Sequence, residues 1–215
     1  MTKNLKKRIS TSLILLFLLS LMFIKNFIFI YCLIVIGVLS ILEFIKINSI
    51  IFEKKRAYYS LINFLFVSYI FFTFLALIVF SSLINFKIFI FLILLICIIS
   101  DIGGYVFGNI FKGPKLTKIS PKKTISGSIG SLISSSIIPF LLINFLTNSI
   151  NFDILILGFL VSLGCQLGDL FFSYLKRKSS LKDTGNFLPG HGGVLDRIDG
   201  MLLGIPLGFI ILLFI

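Results

Sequence analysis

Seven long apolar stretches joined by short polar connections are what most limits the folds open to this chain. They run over about 9–24, 27–45, 60–81, 88–108, 126–146, 152–175 and 198–215. A helix needs roughly 20 apolar residues to cross the hydrocarbon of a bilayer. Inside that hydrocarbon each backbone N–H and C=O must find a partner within the protein, and a helix supplies one locally. Of the 215 residues, 58% are hydrophobic and 13% charged, whereas an ordinary soluble domain is about 25% charged. No water-soluble core of this length could hide so much apolar surface. The expected fold is therefore an all-α integral membrane protein with about seven transmembrane helices, a single polytopic domain over residues 1–215.

The net charge of +12 would point to nucleic acid in a soluble protein. In a membrane protein, lysines and arginines between spans set the orientation instead. With the N-terminus inside, only Lys25 and Lys87 of the 20 Lys and Arg fall on the outer side. The N-terminus is thus expected in the cytoplasm and the C-terminus outside, with membrane lipid and no nucleic acid as partner. Lys3, Lys6, Lys7 and Arg8 precede the first apolar run, as in a signal peptide, but no A-x-A-like cleavage site follows. A retained first helix is expected. Cys32, Cys97 and Cys165 each lie in a separate apolar stretch and read as small core residues, not as a disulfide or zinc framework.

A charge at the centre of a spanning helix costs roughly 2.5–3.5 kcal/mol on insertion scales, so acids there mark function. Glu43, Asp101, Asp169 and Asp199 lie in or at the ends of spans and Asp196 just outside one, all toward the cytoplasmic side. Glu43, close to Lys46, reads as a solvated helix end. Asp101 lies two turns inside its helix. Asp169 shares a helix stripe with Ser173, and Lys176 and Arg177 follow one turn on. An acid, a hydroxyl and cations stacked in this way form a binding face. Asp196 and Asp199, at i and i+3, open the last helix, where they also complement its dipole. Gly104 and Gly108, Gly164 and Gly168, and Gly200, Gly204 and Gly208 have the four-residue spacing that lets helix backbones approach. Their three helices are expected to pack together.

Two polar loops carry the remaining chemistry. Phe111 to Thr124 holds five lysines and no acid, and leads into Ser126-Gly-Ser-Ile-Gly130. A basic loop feeding a helix N-terminus suits phosphate, and it equally suits anionic head groups. It is not a P-loop, because G-x4-G-K-[ST] is absent. In the stretch Ser173 to Asp199, Lys176, Arg177, Lys178, Lys182 and Arg197 alternate with Asp183, Asp196 and Asp199, around a turn Pro189-Gly-His-Gly-Gly193. Glycines in such a turn allow close backbone approach to a ligand. Cations for phosphate and carboxylates for Mg²⁺ together imply a nucleotide or pyrophosphate substrate.

This stretch resembles the signature of the phosphatidate cytidylyltransferase (CDP-diacylglycerol synthase) family. That signature reads S-x-x-K-R, four residues, K-D, then P-x-H-G-G-x-x-D-R-x-D. Its fixed positions are filled by Ser173, Lys176, Arg177, Lys182, Asp183, Pro189, His191, Gly192, Gly193, Asp196, Arg197 and Asp199. Asp101-Ile-Gly-Gly-Tyr105 with Gly108, and Ser120-Pro-x-Lys-Thr124 followed by Gly127, match as well. Residues 100–199 are thus expected to carry the catalytic motifs. The sequence departs at Ser126, where the family often has Glu, and is expected to lack one or two N-terminal spans of many relatives.

The resemblance implies transfer of CMP from CTP to phosphatidate, giving CDP-diacylglycerol and pyrophosphate. The site would face the cytoplasm from a bacterial plasma membrane. The cofactor implied is Mg²⁺, with a second cation left open, as is a homodimer. Asp169 and Asp196 are assigned to the metal, with Asp199 and Asp101 as weaker candidates around it. Lys176, Arg177, Lys182, Arg197 and Lys123 are phosphate contacts, and His191 orients or donates to phosphate. Ser173, Asp183, Gly192, Gly193 and Ser120 complete the substrate site. A transporter also places acids between glycine-rich helices, but would need polar groups near the midplane. A CTP-dependent polyprenol kinase or archaeal-lipid cytidylyltransferase is the nearer alternative. The D-G-x-x-A-R pattern of CDP-alcohol phosphotransferases fails, because Asp199-Gly200 continues Met-Leu-Leu-Gly. The charge asymmetry has a direct test: cysteines introduced at Ser120 and Ser180 are expected to resist a membrane-impermeant thiol reagent in intact cells and to label after lysis.

Overall fold

The computed structural model describes residues 3–117, 119–121, 123–187, 192–212 and 214, with side chains from residue 14 onward. The described residues form seven helices: α1 (Lys3–Ile24), α2 (Asn26–Ile51), α3 (Arg56–Ser81), α4 (Ile84–Phe111), α5 (Ile125–Thr147), α6 (Asp153–Lys178) and α7 (Leu195–Leu212). Five of them, α2 to α6, are long and apolar enough to cross a membrane. The chain is therefore all-α and multi-pass. Several helices overrun the apolar stretches at polar ends: α2 continues to Ile51, α3 begins at Arg56 and α6 reaches Lys178. Hydropathy stops at the first polar residues, whereas the i→i−4 ladder continues through them.

Helix ends carry their own signals. Thr124 caps α5, its Oγ1 accepting from the Gly127 N–H at 3.1 Å, which satisfies one of the free donors of the first turn. At the other end of α5, Asn148 adopts the left-handed conformation, with φ 52°. Helix α6 ends in a Schellman arrangement. The Leu181 N–H bonds to Lys176 O at 2.9 Å and the Ser180 N–H to Arg177 O at 3.1 Å. Ser180 takes the left-handed position at φ 55°.

The chain divides into two compact units. One comprises residues 1–87 with 175–198: α1, α2, α3 and the loop after α6. The other comprises residues 88–174 with 199–215, and so holds most of α4, all of α5, most of α6 and most of α7. In this second unit the helices meet at glycines. A Cβ on Gly164 would lie 3.1 Å from Gly204 Cα, and one on Gly168 would lie 2.5 Å from Asp199 O and 3.2 Å from Gly200 Cα. Gly208 faces Ile93 of α4. Gly104 and Gly108, by contrast, face α5, at Ser131 and Gly127 and at Thr124 and Gly127. Spacing told which helices could approach closely, and the fold adds α5 as the partner of these two glycines.

Gly168→Ala is expected to destabilise the protein by about 1–3 kcal/mol, because its methyl meets backbone that has nowhere to go. Gly104→Ala, whose Cβ would sit 3.6 Å from the nearest atom, Ser131 Cβ, is expected to change stability little or to gain up to about 1 kcal/mol of helix propensity. Thermal melting in detergent separates the two.

Candidate active site

The second unit contains a cavity of about 210 Å³. Asp101 and Gly104 line it from α4, Lys123 and Thr124 from the basic loop, and Gln166 and Asp169 from α6. The basic loop is held as a hairpin: Leu116 N–H donates to Lys123 O at 2.8 Å and Ile125 N–H to Pro114 O at 2.9 Å. Lys115 and Thr124 pair across it. Its base thus delivers Lys123 to the cavity, where the ammonium forms an ion pair with Asp169. Ser173 Oγ donates to the other oxygen of Asp169, Oδ1, at 3.3 Å, as the shared stripe implied.

Polar groups unremarked in the sequence complete the wall. Gln166 Nε2 donates to Ser128 O at 3.1 Å and Ser131 Oγ at 2.6 Å, and Ser128 Oγ bonds to Gln166 Oε1. Ser100, also on the cavity, shares a buried 2.7 Å bond with Ser162. The one available signal was Gln166 itself, a polar residue inside an apolar span, one turn before Asp169. Ser126 stands apart from the cavity lining: it lies 3.1 Å from Thr124 Oγ1 and accepts from the Gly113 N–H at 3.3 Å. Its hydroxyl fastens the hairpin. Ser120 sits in the hairpin turn, its carbonyl accepting from the Lys123 N–H at 3.0 Å. Asp199 lies in the first turns of α7, its Oδ1 accepting from the Gly200 N–H at 2.9 Å.

In the first unit, Lys176, Gly192 and Gly193 of the signature surround Asp196. Lys176 Nζ donates to Asp196 Oδ1 at 2.8 Å, with side chains only 14% and 8% exposed. Oδ2 accepts from the Thr184 N–H at 2.8 Å and the Gly193 N–H at 3.1 Å. Burial alone would raise the Asp196 carboxyl; the Lys176 ammonium and these two N–H groups outweigh it and hold the group below the usual carboxylate range. Gly192 has φ +83°, and a Cβ there would come 3.1 Å from Asp196 Oδ2. Arg177, Lys182, Asp183 and Arg197 are exposed. His191 and Pro189 lie outside the described residues.

Glu43 departs from expectation. It is not a solvated helix end: its Oε1 accepts from the Val194 N–H at 2.9 Å, and its Oε2 from the Leu195 N–H at 2.9 Å and from Thr184 Oγ1 at 2.6 Å. Its partners are more than a hundred residues away in sequence, so nothing local announced them.

Among the described residues no group of three or more His, Cys, Asp or Glu side chains gathers to hold a metal. The donor chemistry nevertheless fits a hard cation. Asp101 and Asp169 line one cavity, and Mg²⁺ is commonly bound by one or two carboxylates together with substrate phosphates.

Residues 52–215 match the sequence pattern of the cytidylyltransferase family. The chain belongs to that family. It is similar to the phosphatidate cytidylyltransferase of Staphylococcus haemolyticus, with 44% identity over 117 residues, which is 54% of this chain and 45% of that protein. The protein of the same name from Mycobacterium leprae is 40% identical over 114 residues, covering 53% of this chain and 36% of its own length. The one from Rickettsia felis is 41% identical over 130 residues, covering 56% and 57%. The chain thus matches about half the length of the curated relatives, or less.

The two lysine–carboxylate pairs differ in stability. Lys176→Ala is expected to cost about 3–5 kcal/mol, because it leaves a largely buried carboxylate without its cation. Lys123→Ala, at the more open pair, is expected to cost under about 1 kcal/mol. A carboxyl with a depressed folded value stabilises the protein above its unfolded value, and that contribution is lost as pH falls through the folded one. The Lys176 effect should therefore be full at neutral pH and fade in acid. Melting of both variants across pH measures it.

Proposed function

We propose that this cytidylyltransferase-family chain transfers CMP from CTP to phosphatidate, giving CDP-diacylglycerol and pyrophosphate. One observation carries the reading. Residues from three separated stretches of sequence, Asp101 with Gly104, Lys123 with Thr124, and Asp169, line a single cavity. The family membership and the identity to proteins named for this reaction support it.

In the reaction a phosphate oxygen of phosphatidate attacks the α-phosphorus of CTP. The new P–O bond forms as the bond from the α-phosphorus to the α–β bridging oxygen breaks, and pyrophosphate leaves with that electron pair. The attacking oxygen is already anionic near neutral pH, so no general base is required. The protein must hold two mutually repelling anions in line and offset the charge that builds on the leaving group. Lys123 is the cation that lines the cavity, available to a phosphate; the resemblance to the family signature assigns Lys176, Arg177, Lys182 and Arg197 to phosphate as well. Asp169 and Asp101 line the cavity and are the carboxylates that would hold Mg²⁺ there; Asp196 and Asp199 are metal candidates by the resemblance alone. The chemistry the cation would supply there is positive charge to offset the charge that develops on the phosphates. Ser173 fixes the rotamer of Asp169, and the hairpin fixes Lys123.

The seven apolar stretches are read as seven spans, and the lysine and arginine distribution sets the N-terminus inside and the C-terminus outside. This orientation places both polar loops in the cytoplasm of a bacterium, where CTP is found, while the acyl chains of the lipid substrate stay in the bilayer.

The purified protein in vesicles containing phosphatidate is expected to form CDP-diacylglycerol from CTP only when Mg²⁺ is present. Asp169→Asn and Asp196→Asn are each expected to lower turnover by at least about 10²-fold, on the scale of losing one electrostatic partner of the transition state. Lys54→Ala, outside both motif loops, should leave it unchanged. Near-normal turnover in Asp169→Asn would reject the assignment of the cavity.

A further inference from the structure

We propose that Glu43 is a positioning residue for Asp196, clasping the signature loop from both sides; the role in catalysis rests on the functional reading above. Glu43 belongs to α2, far in sequence from every motif. Both of its oxygens are used, and each bond reaches the segment that frames Asp196. On one side Oε2 accepts from the hydroxyl of Thr184, a residue only 1% exposed, whose own N–H donates to Asp196. On the other, Oε1 and Oε2 accept from the Val194 and Leu195 N–H groups, immediately before Asp196 in the first turn of α7. The first N–H groups of a helix have no partner within it, and the positive end of its dipole favours a carboxylate there. A residue of α2 thus acts as the cap that α7 lacks locally. Asp196 is held between the two clasped points: Thr184 and Gly193 fix its Oδ2, and the capped helix start fixes its backbone.

The glycines beside the clasp corroborate it. A Cβ on Gly185 would lie 2.6 Å from Glu43 Oε1, and one on Gly193 would collide with Thr184 Oγ1 and Glu43 Oε2. The loop therefore closes round the carboxylate only with hydrogen at these positions. The second glycine of His191-Gly-Gly193 is explained by contact with Glu43, besides any approach to a ligand.

Glu43→Gln keeps the size of the side chain but turns an NH₂ toward donors, so the clasp cannot be remade in full. Removing a partner that orients a metal ligand typically costs about 10–100-fold, and that loss is expected in kcat, with the KM for CTP nearly unchanged. Amide exchange at Thr184 and at Val194 to Asp196 should quicken in the same variant. Glu53→Gln, an exposed acid of the same unit, should match the parent in both measurements. Where Glu43→Gln does not fold, Thr184→Val, which deletes a single hydroxyl, should show a smaller fall in kcat with the same local exchange signature. The proposal is overturned if exchange stays at the parental rate, or if exchange quickens while kcat holds. It is also overturned if activity falls only in proportion to the folded fraction. A parent that makes no CDP-diacylglycerol would reject the functional reading alone, and exchange at Thr184 and Leu195 would still decide the clasp.

Discussion

Lipid as the solvent is the constraint behind every feature of this protein. Hydrocarbon offers a backbone no hydrogen bonds, so the chain is helical wherever it is apolar, and irregular backbone is confined to the connections. Hydrocarbon also disfavours isolated charge. The carboxylates Asp101, Asp169, Asp196 and Asp199 accordingly stand toward one end of their helices, and the cations paired with two of them come from the last turn of α6, Lys176, and from the hairpin before α5, Lys123. The proposed chemistry of phosphates, carboxylates and ammonium groups is disfavoured in hydrocarbon by the same force, which suits a reaction on a lipid head group.

Within the second unit, apolar side chains give no preference between protein and lipid, and close packing has to come from shape. Glycine and serine provide it. The contacts of Gly168 with the Asp199 carbonyl and of Gly127 with Gly104 bring helix backbones together, and Ser128 and Ser131 of α5 add hydrogen bonds to α6. Gln166 is the clearest case: it ties α6 to α5 through Ser128 and Ser131 while lining the cavity. The small residues that let the helices pack are thus the ones that leave room for a polar chamber.

The apolar runs made all seven helices legible in the sequence, because hydropathy and helix formation answer to the same solvent. Their ends were less legible. Lys176 to Lys178 look like loop by hydropathy, yet they complete α6 and place the carbonyl of Lys176 for the Schellman turn. The motif residues Asp101, Lys123 and Asp169 were readable as candidates, and the fold brings them to one cavity. What could not be read was partner choice across long separations. Glu43 beside Lys46 looks the same whether it meets water or the start of α7. Gly104 announces that some helix comes close, without saying that it is α5. A serine's local sequence does not tell whether its hydroxyl faces a cavity, so Ser128 and Ser131 did not announce themselves as cavity lining.

The hairpin between α4 and α5 has a consequence for binding strength. A lysine-rich loop that became ordered only on meeting an anion would surrender roughly 1–2 kcal/mol of backbone freedom for each residue it froze. Here the bonds between Leu116 and Lys123, and between Pro114 and Ile125, together with the Ser126 hydroxyl on Gly113, have already ordered the segment during folding. Lys123 is preorganised, and the entropy of holding it in place is charged to the folded state and not to the ligand. For the phosphate ligand proposed above, that shift in where the ordering occurs would let fewer contacts suffice.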